Sequence, residues 1–354
     1  MNEKPLSILM LACGGSVSHG LLKALALSDL SCRVIGADIA PNKAGLYTVD
    51  RAFISPWAHE PGFMDWLIQT CRDERIDAVL SGAEPVIGFL TEHKERLREE
   101  TGAICLVTDP ETYRIGDDKL LCCDWLTEKG FNCPAYAASE DKVGLDRLAE
   151  TCGYPLVAKG RFGGGAEGMI DVQDAADLEY VSKKTGYIVQ ENLGTPDAEF
   201  TVGCFCDRHG ALRGTIVFRR SLRDGSTVDA EVGEYPEVRT EAERIVAALK
   251  PQGPCNVQLR VHNGKPVCFE INVRFSGTAP VRARFGFNEV DAALRHFVLG
   301  EDEISLAAVT KGVMVRYWNE MYIDPGAYDE LKTQGRLNAP GEHPLEIEDY
   351  GMDS

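Results

Sequence analysis

The chain has 354 residues, 44% of them hydrophobic, with a formal net charge of −18. This length calls for two or three domains, and the composition is that of a globular chain, which excludes disorder, collagen-like repeats and low complexity. The charge excludes a basic nucleic-acid binder, and no apolar run approaches the roughly 18 residues that cross a bilayer, though a local cationic pocket for phosphate stays open.

Met1–Pro5 lead straight into an apolar run at 6–12, which reads as a start without a signal peptide. That run ends in Gly14-Gly15 and predicts a buried strand, a tight turn and a helix near 19–27. A second strand at 33–37 ends at Asp38, followed by helix 62–75, strand 77–81, helix 84–99 and strand 103–107. Alternating strands and helices predict an α/β fold that opens with a doubly wound parallel sheet.

Asp117-Asp118-Lys119 then opens a helix reaching about Lys129, its acids in the first turn where the helix dipole favours them. A helix at 140–152, strands at 155–159, 169–172 and 187–191, and a helix at 174–184 predict a small α+β unit. Long strands at 199–206 and 211–219 follow, with helix 238–249 and strands 254–262 and 265–271. The last two meet at Asn263-Gly264, a hairpin signal, so this half is antiparallel. One more strand is expected at 313–318. The boundaries drawn are 1–115, 116–188, 189–303 and a C-terminal extension, 304–354. The twelve cysteines are scattered through apolar segments without zinc-site spacing, which reads as reduced core thiols in a cytoplasmic protein.

Three clusters of residues carry chemistry. Glu270 and Asn272 are two apart on a strand and share a face, with Gln258 on the neighbouring strand; carboxylate and amide oxygens so placed suit Mg²⁺. Arg274 continues the register and offers a bidentate cation to phosphate or carboxylate. The competing reading is a solvated strand edge. Lys159 ends a strand just before Gly163-Gly164-Gly165 and Gly168, where a glycine backbone can fold over phosphate; no Gly-Lys-Ser/Thr follows, so this is not a P-loop. Glu191, at a strand end, could accept from a purine amine, and Glu199 from ribose hydroxyls; otherwise both are surface acids.

In order and spacing, Lys119, Lys159 with the Gly loop, Glu191 with Glu199, and Gln258…Glu270-x-Asn272-x-Arg274 resemble the ATP-grasp superfamily. They are most similar to its carbamoyl phosphate synthase large-subunit-like carboxylate–amine ligases. The likeness runs from about residue 6 to residue 300. It is most specific at Asn256-Val257-Gln258-Leu259-Arg260 and Phe269 to Gly277, and extends to 44–56. The resemblance implies a preATP-grasp domain, then an ATP-grasp fold of two α+β subdomains, the smaller carrying the Gly-rich lid. It further implies that Lys119, Lys159, Gly164 and Gly165 meet the ATP phosphates, that Glu191 and the backbone through Leu193 hold adenine, and that Glu199 holds ribose. Gln258, Glu270 and Asn272 would hold two Mg²⁺ ions, or Mn²⁺ in their place, with Glu270 bridging. Arg274 would act on the transferred phosphate, with Arg220 and Arg223 the cations of a loosely matching segment. Val273 departs from the family by replacing a proline.

The implied chemistry is ATP-dependent joining of a small-molecule carboxylate to an amine through an acylphosphate, with ADP and phosphate released. An amino acid, a peptide or an amino sugar would serve as substrate, and a homodimer is the implied assembly. His19, after the first glycine turn, is a candidate substrate contact. The rivals are an ATP-grasp small-molecule kinase, a degenerate ATP-binding regulator, and a dinucleotide binder. The last is suggested by Asp38, but Gly14-Gly15-Ser16-Val17-Ser18-His19-Gly20 does not supply Gly-x-Gly-x-x-Gly.

Overall fold

The computed structural model describes residues 4–164, 168–194, 199–307, 309–340 and the backbone of 345–347. The chain forms two compact units, Met1–Val107 with Phe275–Ala307 and Tyr317–Ser354, and Thr108–Arg274 with Ala308–Arg316.

In the first unit β1 (Leu6–Leu11), α1 (Ser16–Leu25), β2 (Cys32–Asp38), β3 (Arg51–Ile54), α2 (Phe63–Glu74), β4 (Ala78–Ser81), α3 (Glu84–Thr101) and β5 (Ile104–Cys105) alternate as expected. The strands lie in the order β3-β2-β1-β4-β5, all parallel. Such a sheet is covered on both faces. Leu9, Leu11, Ile35 and Val79 face Phe63, Leu67 and Leu90 of α2 and α3, while α1 packs on β1 and β4. The fifth strand is two residues long, not the five expected, and β3 is a strand beyond those expected from the sequence.

The second unit opens with α4 (Pro110–Asp117) and α5 (Lys119–Glu128), each capped by an aspartate, Asp109 and Asp118. Next come β6 (Tyr136–Ala138), α6 (Lys142–Cys152), β7 (Leu156–Gly160), β8 (Ile170–Val172), α7 (Ala175–Val181) and β9 (Tyr187–Glu191), the strands ordered β6-β9-β7-β8 and antiparallel. Leu156, Ala158, Val172 and Val189 face Leu145, Leu148 and Leu178, which gives this small layer its own core. The larger layer is built from β10 (Glu199–Cys206), β11 (Leu212–Arg223), β12 (Ser226–Val232), α8 (Pro236–Leu249), β13 (Gly253–His262) and β14 (Lys265–Asn272). The expected hairpin joins β13 to β14, with Asn263 in the left-handed region (φ 50°) that a tight turn requires.

One face of this sheet is apolar. Val202, Cys204, Cys206, Cys255, Val257, Leu259 and Ile271 pack under Val238, Ala242, Ile245 and Val246 of α8. The cysteines are free thiols, most of them buried, so they behave as small core residues. Helix α4 lies flush on β14 because residue 116 is glycine: a Cβ there would stand 2.8 Å from Val273 Cγ2 and 3.2 Å from the Ile271 carbonyl.

After Arg274 the chain rejoins the first unit as α9 (Ala279–Arg284) and α10 (Glu289–Ala293), which pack on α1, so the antiparallel part ends well before the expected limit of 303. A short strand, β15 (Gly312–Val315), pairs with β12 at the sheet edge and ends three residues before the expected limit. The tail from 317 adds β16 (Met321–Ile323), α11 (Pro325–Gln334), β17 (Arg336–Asn338) and β18 (Leu345–Ile347); β17 pairs antiparallel with β3 as the edge of the parallel sheet. Among the described residues no helix is long and apolar enough to cross a membrane.

The return segment is anchored by an ion pair with no exposure on either side, Arg282 to Glu289 at 3.1 Å. Removing one partner strands a buried charge, so Glu289→Ala is expected to lower stability by about 3–5 kcal/mol, read as a lower urea midpoint.

Candidate functional site

The polar face of the large sheet carries Glu199, Arg220, Gln258, Glu270 and Asn272 of the residues singled out in the sequence. Side chains alternate along each strand, so the burial of Val257, Leu259 and Ile271 on one face sends Asn256, Gln258, Arg260, Glu270 and Asn272 to the other. Gln258 stands opposite Glu270, and Asn256 opposite Asn272. Leu259 then pairs with Cys268, which leaves Phe269 as the extra residue of a β-bulge. The bulge places the Phe269 ring beside the Lys159 ammonium, 5.0 Å from the ring centre, and the Arg260 guanidinium, at 5.8 Å.

Glu270 is the centre of this face. Its Oε1 accepts from Gln258 Nε2 at 3.0 Å and from Asn272 Nδ2 at 2.8 Å. Burial pushes the carboxyl toward protonation, but Lys119, the Asn272 amide, Lys159 and Arg274 together outweigh it and hold its pKa below the usual value. Lys159 is its counterpart. Burial drives the ammonium's pKa down, Glu270 resists, and Lys119 and Arg260 add repulsion.

Lys119 and Lys159 lie far apart in sequence and are joined by a helix cap. Asp118 caps α5 through Leu120 N and takes both ends of Arg161, Nε at 3.0 Å and Nη2 at 2.5 Å, while Lys119 N donates to the Arg161 carbonyl. The start of α5 is thereby stitched to the end of β7, and Lys119 Nζ reaches the Gly163 carbonyl at 2.6 Å. Gly163 has φ 84°, a conformation that favours glycine. Gly164 follows it, exposed; Gly165 lies outside the described residues.

A second carboxylate lies across the sheet. Glu199 on β10 has Arg260 as its partner on β13 and Arg220 on the opposite side, from β11. Arg220 also donates to Gln258 Oε1 at 2.6 Å and to Thr227 Oγ1 at 3.2 Å. One run of contacts thus links Arg260, Glu199, Arg220, Gln258 and Glu270. Arg223 is exposed at the end of β11, away from this run.

Glu191 ends β9, its Oε2 accepting from Ala135 N at 3.2 Å and its Oε1 lying 3.4 Å from His262 Nε2; Leu193 beyond it is buried. In the first unit His19 is half-buried on α1, where burial and Lys23 lower its pKa. Asp38 accepts a backbone N–H on each oxygen, from Gly14 N and Ile39 N, both at 2.8 Å. Lys43 covers the adjoining glycine turn, since a Cβ on Gly14 would fall 2.4 Å from Lys43 Cβ. With Lys43 packed against it and no Gly-x-Gly-x-x-Gly in its sequence, this turn gives the dinucleotide reading no support.

Sequence reasoning missed Arg161, Arg260 and Phe269. Arg260 was within sight, two residues beyond Gln258 and therefore on its face. The bulge that exposes Phe269 has no comparable signal.

Residues 184–321 match the family model described as ATP-grasp in the biosynthetic pathway with Ter operon, and residues 8–105 match the PylC-like N-terminal domain. The carbamoyl phosphate synthase large chain of Methanosarcina mazei is 25% identical over 244 residues, covering 62% of this chain and 22% of that protein. The chain therefore spans about a fifth of the length of that curated relative. Among solved structures, N5-carboxyaminoimidazole synthetase of Staphylococcus aureus complexed with ADP superposes with a TM-score of 0.69 at 16% identity, covering 94% of this chain and 86% of the other. L-amino acid ligase of Bacillus licheniformis gives 0.66 at 19%, covering 92% and 81%. These likenesses establish the fold, a PylC-like domain followed by an ATP-grasp domain.

The charge on Glu270 has a measurable signature. Its folded pKa lies below the 4.5 of the free side chain, so its contribution to stability is complete above that value and is lost as pH falls through the folded pKa. Urea unfolding of the wild type and Glu270→Gln is expected to show a gap at neutral pH that closes on acidification; a gap independent of pH would contradict an ionised Glu270.

Proposed function

We propose that this chain is an ATP-dependent carboxylate–amine ligase of the ATP-grasp type, working through an acylphosphate. One observation carries the reading. In a chain of net charge −18, and among the described residues, Lys119, Lys159 and Arg274 bear on Glu270 while Arg220 and Arg260 pair with Glu199. That local excess of positive charge suits a polyanion such as a nucleoside triphosphate.

In this reading Lys119 and Lys159 bind the ATP phosphates beneath the backbone of Gly163, Gly164 and Gly165. Glu191 accepts from the adenine amine while the backbone to Leu193 pairs with the purine edge. Two Mg²⁺ ions, replaceable by Mn²⁺, fit the donor set: Glu270 is kept ionised, and Gln258 and Asn272 add amide oxygens once their amide groups turn. When bound, the ions neutralise developing charge on the transferred phosphoryl group.

Arg274 and Arg220 orient the reacting groups and stabilise charge. A substrate carboxylate oxygen attacks the γ-phosphorus, the bond to the β-phosphate oxygen breaks, and ADP leaves. An amine then attacks the acyl carbon, phosphate departs with the C–O bonding pair, and the nitrogen gives up a proton. The substrate is a small molecule such as an amino acid, a peptide or an amino sugar. We place the enzyme in the cytoplasm, in keeping with its free thiols, and as a homodimer, for which the sheet edge at β15 leaves Val313 and Val315 exposed.

The test is phosphate release with ATP across pairs of amino acids, with hydroxylamine as a trap. A hydroxamate is expected. ADP with a phosphorylated product and no hydroxamate would favour a kinase, and no turnover with intact ATP binding would favour a regulatory module. Glu270→Ala is expected to cut turnover by about a hundred- to a thousand-fold; undiminished turnover would overturn the assignment.

A further inference from the structure

The four-bond geometry at Glu199 carries an inference that rests on the ATP-site reading but departs from the ribose role implied by the family resemblance. An ionised carboxylate has about four lone-pair positions. Arg220 Nε and Nη2 donate to Glu199 Oε1 at 3.1 and 2.9 Å, and Arg260 Nε and Nη2 donate to Oε2 at 3.1 and 2.8 Å. Both oxygens are thus saturated by charge-assisted donors. A ribose hydroxyl is a weaker, neutral donor, and it would have to displace one of them. Displacement would also strip a charge partner from Arg220, which is buried along with Glu199.

The strand order produces this arrangement. β10 lies between β11 and β13, so a glutamate at the start of β10 meets an arginine from each neighbour. The two guanidinium groups differ in their remaining contacts. Arg220 reaches Gln258 and, through it, Glu270. Arg260 donates Nη1 to the Gly194 carbonyl at 3.0 Å, just beyond the Glu191–Leu193 segment, and lies over Phe269.

We infer that Glu199 is a positioning residue that holds Arg220 and Arg260 as a cation pair for the nucleotide phosphates, and that it takes no ribose hydroxyl. Arg260 thereby becomes a further phosphate-side cation of the site.

The experiment measures binding of ATP, 2′-deoxy-ATP, 3′-deoxy-ATP and adenosine, each with Mg²⁺, to the full chain by displacement of a fluorescent ATP analogue. Glu199→Gln is expected to weaken all three triphosphates by one common factor, about tenfold or more, and to leave adenosine unchanged. If Glu199→Gln instead abolishes discrimination between ATP and its deoxy analogues, the carboxylate contacts ribose and the inference is wrong. Adenosine weakened in step with ATP would mean general disruption of the site and would equally overturn it. Arg260→Lys and Arg260→Met give the same reading should Glu199→Gln not fold. Lysine is expected to retain most triphosphate affinity and methionine to lose it by a common factor, and equal affinities would contradict the role given to Arg260. Failure of the unmodified protein to bind Mg-ATP would remove the ligase reading itself, an outcome distinct from all of these.

Discussion

An ionised carboxylate largely withdrawn from water is costly unless cations and hydrogen bonds compensate it, and Glu270, half-buried on β14, sets that condition for the polar face of the large sheet. Lys119, Lys159 and Arg274 supply the charge, and Asn272 and Gln258 supply the N–H donors. Burial first, then Lys119 and Arg260, lower the pKa of Lys159, and Glu270 opposes that shift. Two devices fix the elements that deliver them. The Asp118–Arg161 pair locks α5 to β7, and Gly116 lets α4 lie flat on the strand that carries Glu270.

The sheet is a partition between two kinds of chemistry. On one face Cys204, Cys206, Val257 and Ile271 form an ordinary apolar core with α8. At alternate positions along the same strands, the other face carries paired charges at hydrogen-bonding distance. The period of two along a strand gives both faces from one stretch of sequence, while the bulge at Phe269 interrupts it and turns an aromatic ring toward the cations. Five cations meet Glu199 and Glu270 in a protein whose total charge is strongly negative, so attraction of a nucleotide depends on local placement.

Much of this was legible because the signals are local. Period-two burial through Asn256 to Arg260, the Asn263-Gly264 turn and Asp118 ahead of Lys119 each act within a few residues, whereas Asp117 ends α4 instead of opening α5. The parallel sheet of the first unit was equally readable, since strands buried on both faces run continuously apolar. What escaped depends on distant partners. Arg161 is an unremarkable arginine until Asp118 folds back to it, and Glu199 looks like a surface acid until β11 and β13 bring an arginine to either side. The same holds for β17, three residues whose strand character comes from pairing with β3, and for 275–307, which leaves the antiparallel layer to pack on α1. Strand β12 is half polar because its neighbours cover it incompletely, so its sequence carries a weak alternation.

The most direct measurement is the binding of Mn²⁺, observed by electron paramagnetic resonance, to the wild type and to Glu270→Gln with and without ATP. Measured against Mn²⁺ with ATP alone, the free-ion signal is expected to fall further when the wild-type chain is added and to fall no further with Glu270→Gln. Equal loss of signal with Glu270→Gln would contradict the central claim, because the ion would then be held without the carboxylate that the cations of this site keep ionised.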